Sequence, residues 1–171
     1  MSEVQKMQRK FFQNFVDTSM NGTTASYYRL GKDLEEFNIE LNPDTETGKN
    51  ILGETTFTHN GYEISANAEP FYAREGDALF AALQNIIDTG AQYEGCATTI
   101  IEVHLWEASS TQGGFKAYKQ PCYLVPQSYG GDTSGYQIPF NVNYVGEKVL
   151  GTFVPDGNGG GTFTEGFTPA T

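Results

Sequence analysis

Few groups in this chain are suited to chemistry: two histidines, His59 and His104, two cysteines, Cys96 and Cys122, and 21 acidic side chains among 171 residues. The histidines fall in no HExxH or comparable ligand spacing, and no serine sits in a GxSxG turn, so both read as plain strand residues. The cysteines lack CxxC spacing and read as free thiols rather than as a metal or redox pair. DGNGGGTFTEGF, residues 156–167, begins like a calcium loop at Asp156 and Asn158, but Phe167 stands where the bidentate Glu belongs. The same glycines are not followed by the Lys-Ser or Lys-Thr of a phosphate loop. A glycosidase needs two carboxylates at a set separation, and abundance alone does not supply one. The strand acids alternate with Thr, Ser and Asn, which suits a hydrated acidic surface better than a tuned acid and base. The expectation is therefore no catalytic residue, no metal and no cofactor.

Charge narrows the partners. Ten Lys and Arg against 21 Asp and Glu give a net charge of −11, which disfavours capture of nucleic-acid phosphates over the surface as a whole. From residue 33 to 107 there are 15 acids against Lys49 and Arg74, net −13, whereas residues 1–32 hold five bases against Glu3 and Asp17, net +3. Such an asymmetry allows head-to-tail pairing between copies, although ordinary solvated charge accounts for it equally well. No stretch has the apolar core of a signal peptide or the length of a membrane span, so a cytoplasmic start and no membrane partner are expected.

The elements that must position these groups follow from periodicity. Val4, Met7, Phe11, Phe12, Phe15 and Val16 recur at three- and four-residue spacing and predict a short amphipathic helix, followed by an irregular arm through residue 31. LEEFNIEL then alternates Phe37, Ile39 and Leu41 against Glu36, Asn38 and Glu40, the signature of a half-buried strand. GDALFAALQNIIDTG predicts the one firm helix, over 77–89, with Asp77 as N-cap, Gly90 at C′, and Leu79, Phe80, Leu83, Ile86 and Ile87 as its buried stripe. ATTIIEVHLWEA is a long strand, a second begins at Phe115, and YQIPFNVNYV alternates again. Glycine- and threonine-rich residues 156–171 predict a flexible or partner-ordered tail. The fold class is mainly β: an antiparallel β-sandwich or barrel with one flanking α-helix and a short N-terminal helix. Its layout is an arm over 1–32, a body over 33–155 and a tail over 156–171.

ETTFTHNGYEISANAE, residues 54–69, predicts two strands joined at Asn60-Gly61, a dipeptide suited to a two-residue hairpin turn. Folded there, Glu54, Thr56, Thr58, Glu63, Ser65 and Asn67 share one polar face, extended by Glu69. Phe57, Ile64 and Ala66 share the other, which would pack under the helix. Asn42, Pro43, Asp44, Thr45, Glu46, Thr47, Gly48, Lys49 and Asn50 form a polar run with a Pro and a Gly, predicted to be an exposed loop and a contact finger.

The run from YYRLGKDLEEFNIEL through AEPFYAREGD and the helix, continuing into ATTIIEVHLWEA and YQIPFNVNYVG, resembles the major tail tube proteins of long-tailed phages and prophages of Gram-positive bacteria. The likeness covers about residues 27 to 155. It implies hexameric rings that stack into a tube, with one sheet of each subunit joining its neighbours around a lumen. By that resemblance the polar face of residues 54–69 would line the channel through which DNA passes without specific binding. Residues 42–50 and the two chain ends would make contacts between rings. The implied partners are further copies of the chain and the tape measure, tail terminator and distal tail proteins; the implied location is a virion tail assembled in a bacterial cytoplasm.

Two other readings remain open from the residues. One is a monomeric β-sandwich binding module, for carbohydrate or another ligand, whose tyrosines and Trp106 would stack on sugar rings. The other is an acidic hydrolase of the same fold class.

Overall fold

The computed structural model describes residues 4–32 and 34–171; residues 1–3 of the expected arm and residue 33 at its boundary lie outside the described residues. Among the described residues eleven strands are formed: β1 (Phe12–Asp17), β2 (Tyr27–Leu30), β3 (Phe37–Glu40), β4 (Pro43–Lys49), β5 (Thr55–Tyr62), β6 (Ser65–Ala68), β7 (Ala97–Ala108), β8 (Phe115–Pro126), β9 (Phe140–Tyr144), β10 (Val149–Pro155) and β11 (Gly161–Glu165). The α-helix among them, α1, spans Ala78–Thr89. Nine strands make one curled antiparallel sheet, and β4 and β5 make a separate two-stranded sheet. The protein is thus mainly β with one helix, as the periodicities predict.

The main sheet runs β2-β1-β7-β8-β9-β6-β3. β7 follows β8 along one edge, while the other edge of β8 is shared, Phe115–Lys119 pairing with β10 and Cys122–Pro126 with β9. Pro121, which has no N–H to donate, lies where the partner changes. This split lets the sheet curl into two wings.

Each wing buries its own core. On the helix side lie Val16, Ala66, Ala68, Leu79, Leu83, Ile86, Ile100, Leu124, Phe140 and Val142. On the other side Phe15, Ile101, Val103, Ala117 and Phe153 cluster, with the Phe15 and Phe153 rings 4.3 Å apart. Successive strand residues point to opposite faces, so the neighbours Phe15 and Val16 belong to different cores. That corrects the expected N-terminal helix. FQNFVD is a strand buried on both faces, its apolar spacing set by two cores rather than by a helical stripe, and only Arg9–Phe11 make a single 3-10 turn. β1 and β2 are therefore part of the sheet and not an arm.

The glycine-rich end is also corrected. β11 pairs with β10, Phe153 opposite Phe163 and Gly151 opposite Glu165. A Cβ at Gly151 or Gly161 would run into the Phe163 or Phe153 ring, so glycine here permits close packing of aromatic rings on backbone. The turn between these strands is held by Asp156, whose Oδ1 accepts the N–H groups of Asn158 and Gly160. That turn reaches β2, where the Arg29 N–H donates to Gly159 O at 2.8 Å.

The helix is specified by its ends. Asp77 Oδ1 accepts the Leu79 N–H at 2.9 Å, and Gly90 takes the left-handed conformation at φ 64°. The second Asp77 oxygen accepts the Tyr28 hydroxyl at 2.8 Å, tying helix to β2.

Candidate assembly surfaces

The turn expected at Asn60-Gly61 does not form. β5 continues through it with a bulge, Gly61 taking φ 112° where the register shifts between Thr45–His59 and Pro43–Tyr62, and pairs with β4 in the register Glu46 to Thr58 and Gly48 to Thr56. Residues 43–49, expected to be loop, are therefore a strand, and the reversal falls at residues 50–54. There Asn50 Oδ1 accepts the N–H groups of Leu52 and Glu54 at 2.9 and 3.0 Å, and Asn50 Nδ2 donates to Glu54 Oε2 at 2.9 Å. An Asx turn organised by Asn50 outcompetes Asn60-Gly61 because it supplies side-chain acceptors for the reversing backbone. Asn42 clamps the base: its Nδ2 donates to Glu63 O and Ser65 Oγ, and its carbonyl accepts the Glu63 N–H.

The expected polar face is consequently divided. Thr56 and Thr58 lie on the hairpin beside Glu46, Glu54 sits in its tip and Glu63 at its base, while Ser65, Asn67 and Glu69 belong to the main sheet. Phe57, expected under the helix, is 64% exposed on the hairpin, because the continuous β5 carries it away from the body. Ile64 lines a pocket with Phe12, Ile39 and Tyr144. Leu79, Leu83 and Ile86 are buried beneath the helix, with Phe80 and Ile87 packed against the same core.

On the main sheet, alternation of β6 turns Ala66 and Ala68 inward and Ser65 and Asn67 outward. Register extends that outer face across three strands. Asn67 pairs with Asn38 on β3 and Asn141 on β9, and Ser65 pairs with Glu40 and Asn143. Glu36, Asn38, Glu40, Asn67 and Glu69 line a shallow groove of about 240 Å³. Glu40, Asn38, Asn141 and Asn143 are absent from the face expected from residues 54–69 alone. Their signal was the polar half of the alternation in FNIE and FNVN, but which strands lie side by side is not written in a period of two. The outcome is a carboxylate- and amide-rich surface, next to β3, whose outer edge has no strand partner among the described residues.

Both histidines are occupied locally. His104 Nε2 lies 3.1 Å from Glu102 and Nδ1 3.4 Å from Glu107, and its ring stacks on Trp106 at 4.6 Å. Lys148 meets Glu102 at 2.5 Å and Lys116 meets Glu107 at 3.4 Å, completing a charge network on the strand face. Interaction with Tyr118 and Glu107 holds the Lys116 ammonium above its usual range. His59 Nδ1 accepts the Gly61 N–H at 3.3 Å on the exposed hairpin. Cys122 is buried under the helix, and desolvation pushes its thiol up to about 12. The Tyr144 hydroxyl is raised chiefly by burial and further by Cys122 and Glu102. These groups answer to packing and to neighbours; none of them is paired with a nucleophile or an open ligand set. Among the described residues no group of three His, Cys, Asp or Glu side chains is placed to hold a metal ion.

No family model matches this chain, and no curated protein matches it.

Proposed function

We propose that this protein is a structural subunit that assembles with copies of itself into hexameric rings stacked as a phage-type tail tube, and that it performs no catalysis. The observation that carries the reading is the β4–β5 hairpin. Every residue of β4 is exposed, and so is all of β5 except Gly61. A two-stranded hairpin alone is marginally stable in water, so an ordered one with no packing of its own is suited to being covered by another molecule.

The outer edge of β3 supports the same reading. An unpaired strand edge invites pairing with another chain, and closing sheets around a ring removes it. In the ring, the face of Glu40, Asn38, Ser65, Asn67, Glu69, Asn141 and Asn143 turns to the water-filled lumen. Acids and amides there repel DNA phosphates and keep the wall hydrated, so a passing strand makes only weak contact. The hairpin, with residues 42–50, reaches the next ring. The tape measure, terminator and distal tail proteins would then be its further partners, and a virion tail its location.

Negative-stain electron microscopy of concentrated protein, paired with sedimentation, tests this. Hollow rings or tubes are expected. A single species of 18.8 kDa at every concentration would sink the proposal and favour a monomeric binding module.

A further inference from the structure

We propose that the groove between β1 and the β2–β3 link is the receptor for the β4–β5 hairpin tip of a second copy of this chain. The inference rests on the self-assembly reading and names which two surfaces meet.

The groove, about 350 Å³, is lined by Arg9, Lys10, Phe12, Arg29, Lys32 and Leu34, with Glu35 and Glu36 at its rim. Among its described lining residues four cations stand against two carboxylates, in a chain whose net charge is −11. Arg29 and Lys32 are exposed and form no ion pair with a described residue. Arg9 is fixed, its guanidinium donating to Phe37 O at 3.0 Å and lying 5.2 Å from the centre of the Phe12 ring. Beneath this charge, Phe12 and Leu34 are only half-buried and give the groove a partly open apolar patch beside the polar Gln13 and Asn14.

The hairpin tip has the complementary build. Ile51 is 102% and Leu52 76% exposed, an apolar pair at the very end of an arm that also exposes Phe57 and Tyr62 along β5. Asn50 holds their turn rigid through its contacts to Leu52 and Glu54, so little ordering remains for binding. Asp44, Glu46, Glu54 and Glu63 against Lys49 give residues 42–63 a net charge of −3. An apolar pair flanked by carboxylates thus meets an apolar patch ringed by cations. None of the hairpin's residues lines the groove of its own chain. Seven strand residues at roughly 3.4 Å each carry the tip about 24 Å from its base, enough to reach a neighbouring molecule. Because tip and groove are different surfaces, the contact is head to tail, and each copy offers both halves.

A charge exchange tests the pairing by sedimentation velocity over a concentration series. R29E/K32E and E46K/E54K should each raise the concentration for half-assembly about tenfold, and the four substitutions in one chain should return it to within about threefold of wild type. L52D should weaken assembly as R29E/K32E does. Arg29, Lys32 and Leu52 are exposed, so the circular dichroism and thermal midpoint of these variants should match wild type. If R29E/K32E assembles like wild type, the groove is not the receptor although the assembly reading stands. Absence of rescue in the combined variant overturns direct tip-to-groove contact. A wild-type chain that stays monomeric removes both proposals. Loss of single-stranded oligonucleotide binding in R29E/K32E, with self-association intact, would reassign the groove to phosphate.

Discussion

The nine-stranded body and the two-stranded hairpin are built from the same chain by opposite rules. In the body, β1 and much of β7 are buried on both faces and the helix seals one of them, so the central strands pair on both edges and bury their apolar side chains in two cores. In the hairpin, all fifteen strand residues but Gly61 are left exposed to solvent, a surface of threonine, acid and aromatic side chains held by its own ladder, by Asn50 at the tip and by Asn42 at the base. The body carries the stability of the chain. The hairpin contributes little to it, so what constrains its sequence must be what it touches.

Substitutions should break along that line. Leu83 is fully buried beneath the helix, and Leu83→Ala is expected to lower unfolding free energy by about 3 kcal/mol in denaturant titration. Alkali comes next, and it acts on the body. Burial keeps the Cys122 thiol protonated in the folded state up to about pH 12, against an ordinary value of 9.0, and raises the Tyr144 hydroxyl in the same direction. Below pH 9 the thiol is neutral folded or unfolded, and its contribution is fully present. As pH rises from 9 towards 12 the unfolded chain ionises first, so stability is lost at up to about 1.4 kcal/mol per pH unit for the thiol. Denaturant midpoints should be flat from pH 7 to 9 with respect to this group, and Cys122→Ala should reduce the slope above pH 9. Smaller again, Asp77→Ala removes the helix N-cap and should cost about 1 kcal/mol, with Asp77→Asn retaining most of it.

Those body positions include the ones most legible in the sequence. The helix was readable from Asp77, Gly90 and its apolar stripe, because caps and a period of 3.6 are local signals. The inward and outward halves of β6 were readable too, because Ser65 and Asn67 alternate with Ala66 and Ala68. β1 was misread since Phe15 and Val16 serve two cores at once, and a strand buried on both faces loses the alternation that identifies it. The end of the chain was misread because Gly151 and Gly161 make room for Phe163 and Phe153, a role that appears only when two strands are brought together. The candidate surface suffered most. Asn60-Gly61 has the composition of a hairpin turn, yet the turn formed at Asn50, and moving it shifted Phe57 from core to solvent. The joining of Asn38, Asn67 and Asn141 depends on pairing between distant segments, which no local pattern specifies.

The smallest expected effect is the most informative about the hairpin. Phe57 would be a core residue if β5 turned at Asn60-Gly61, and Phe57→Ala would then cost several kcal/mol by the usual large-to-small penalty, about 3 to 5. On an exposed strand paired only with Thr47 the same change should move the unfolding free energy by less than about 0.5 kcal/mol. Hydrogen exchange sharpens the contrast. Amides of β4 and β5 bond only within the hairpin, so in the isolated chain they should exchange by local opening, far faster than those of β7 and β8 at the centre of the sheet. In assembled material the same amides should slow, while β7 and β8 change little, because another copy covers the hairpin, the groove beside β1 and the β3 edge rather than the centre of the sheet. Hairpin amides as slow as those of β7 in the monomer would mean that the body already holds the hairpin, and the reason for assigning it to another copy would be gone.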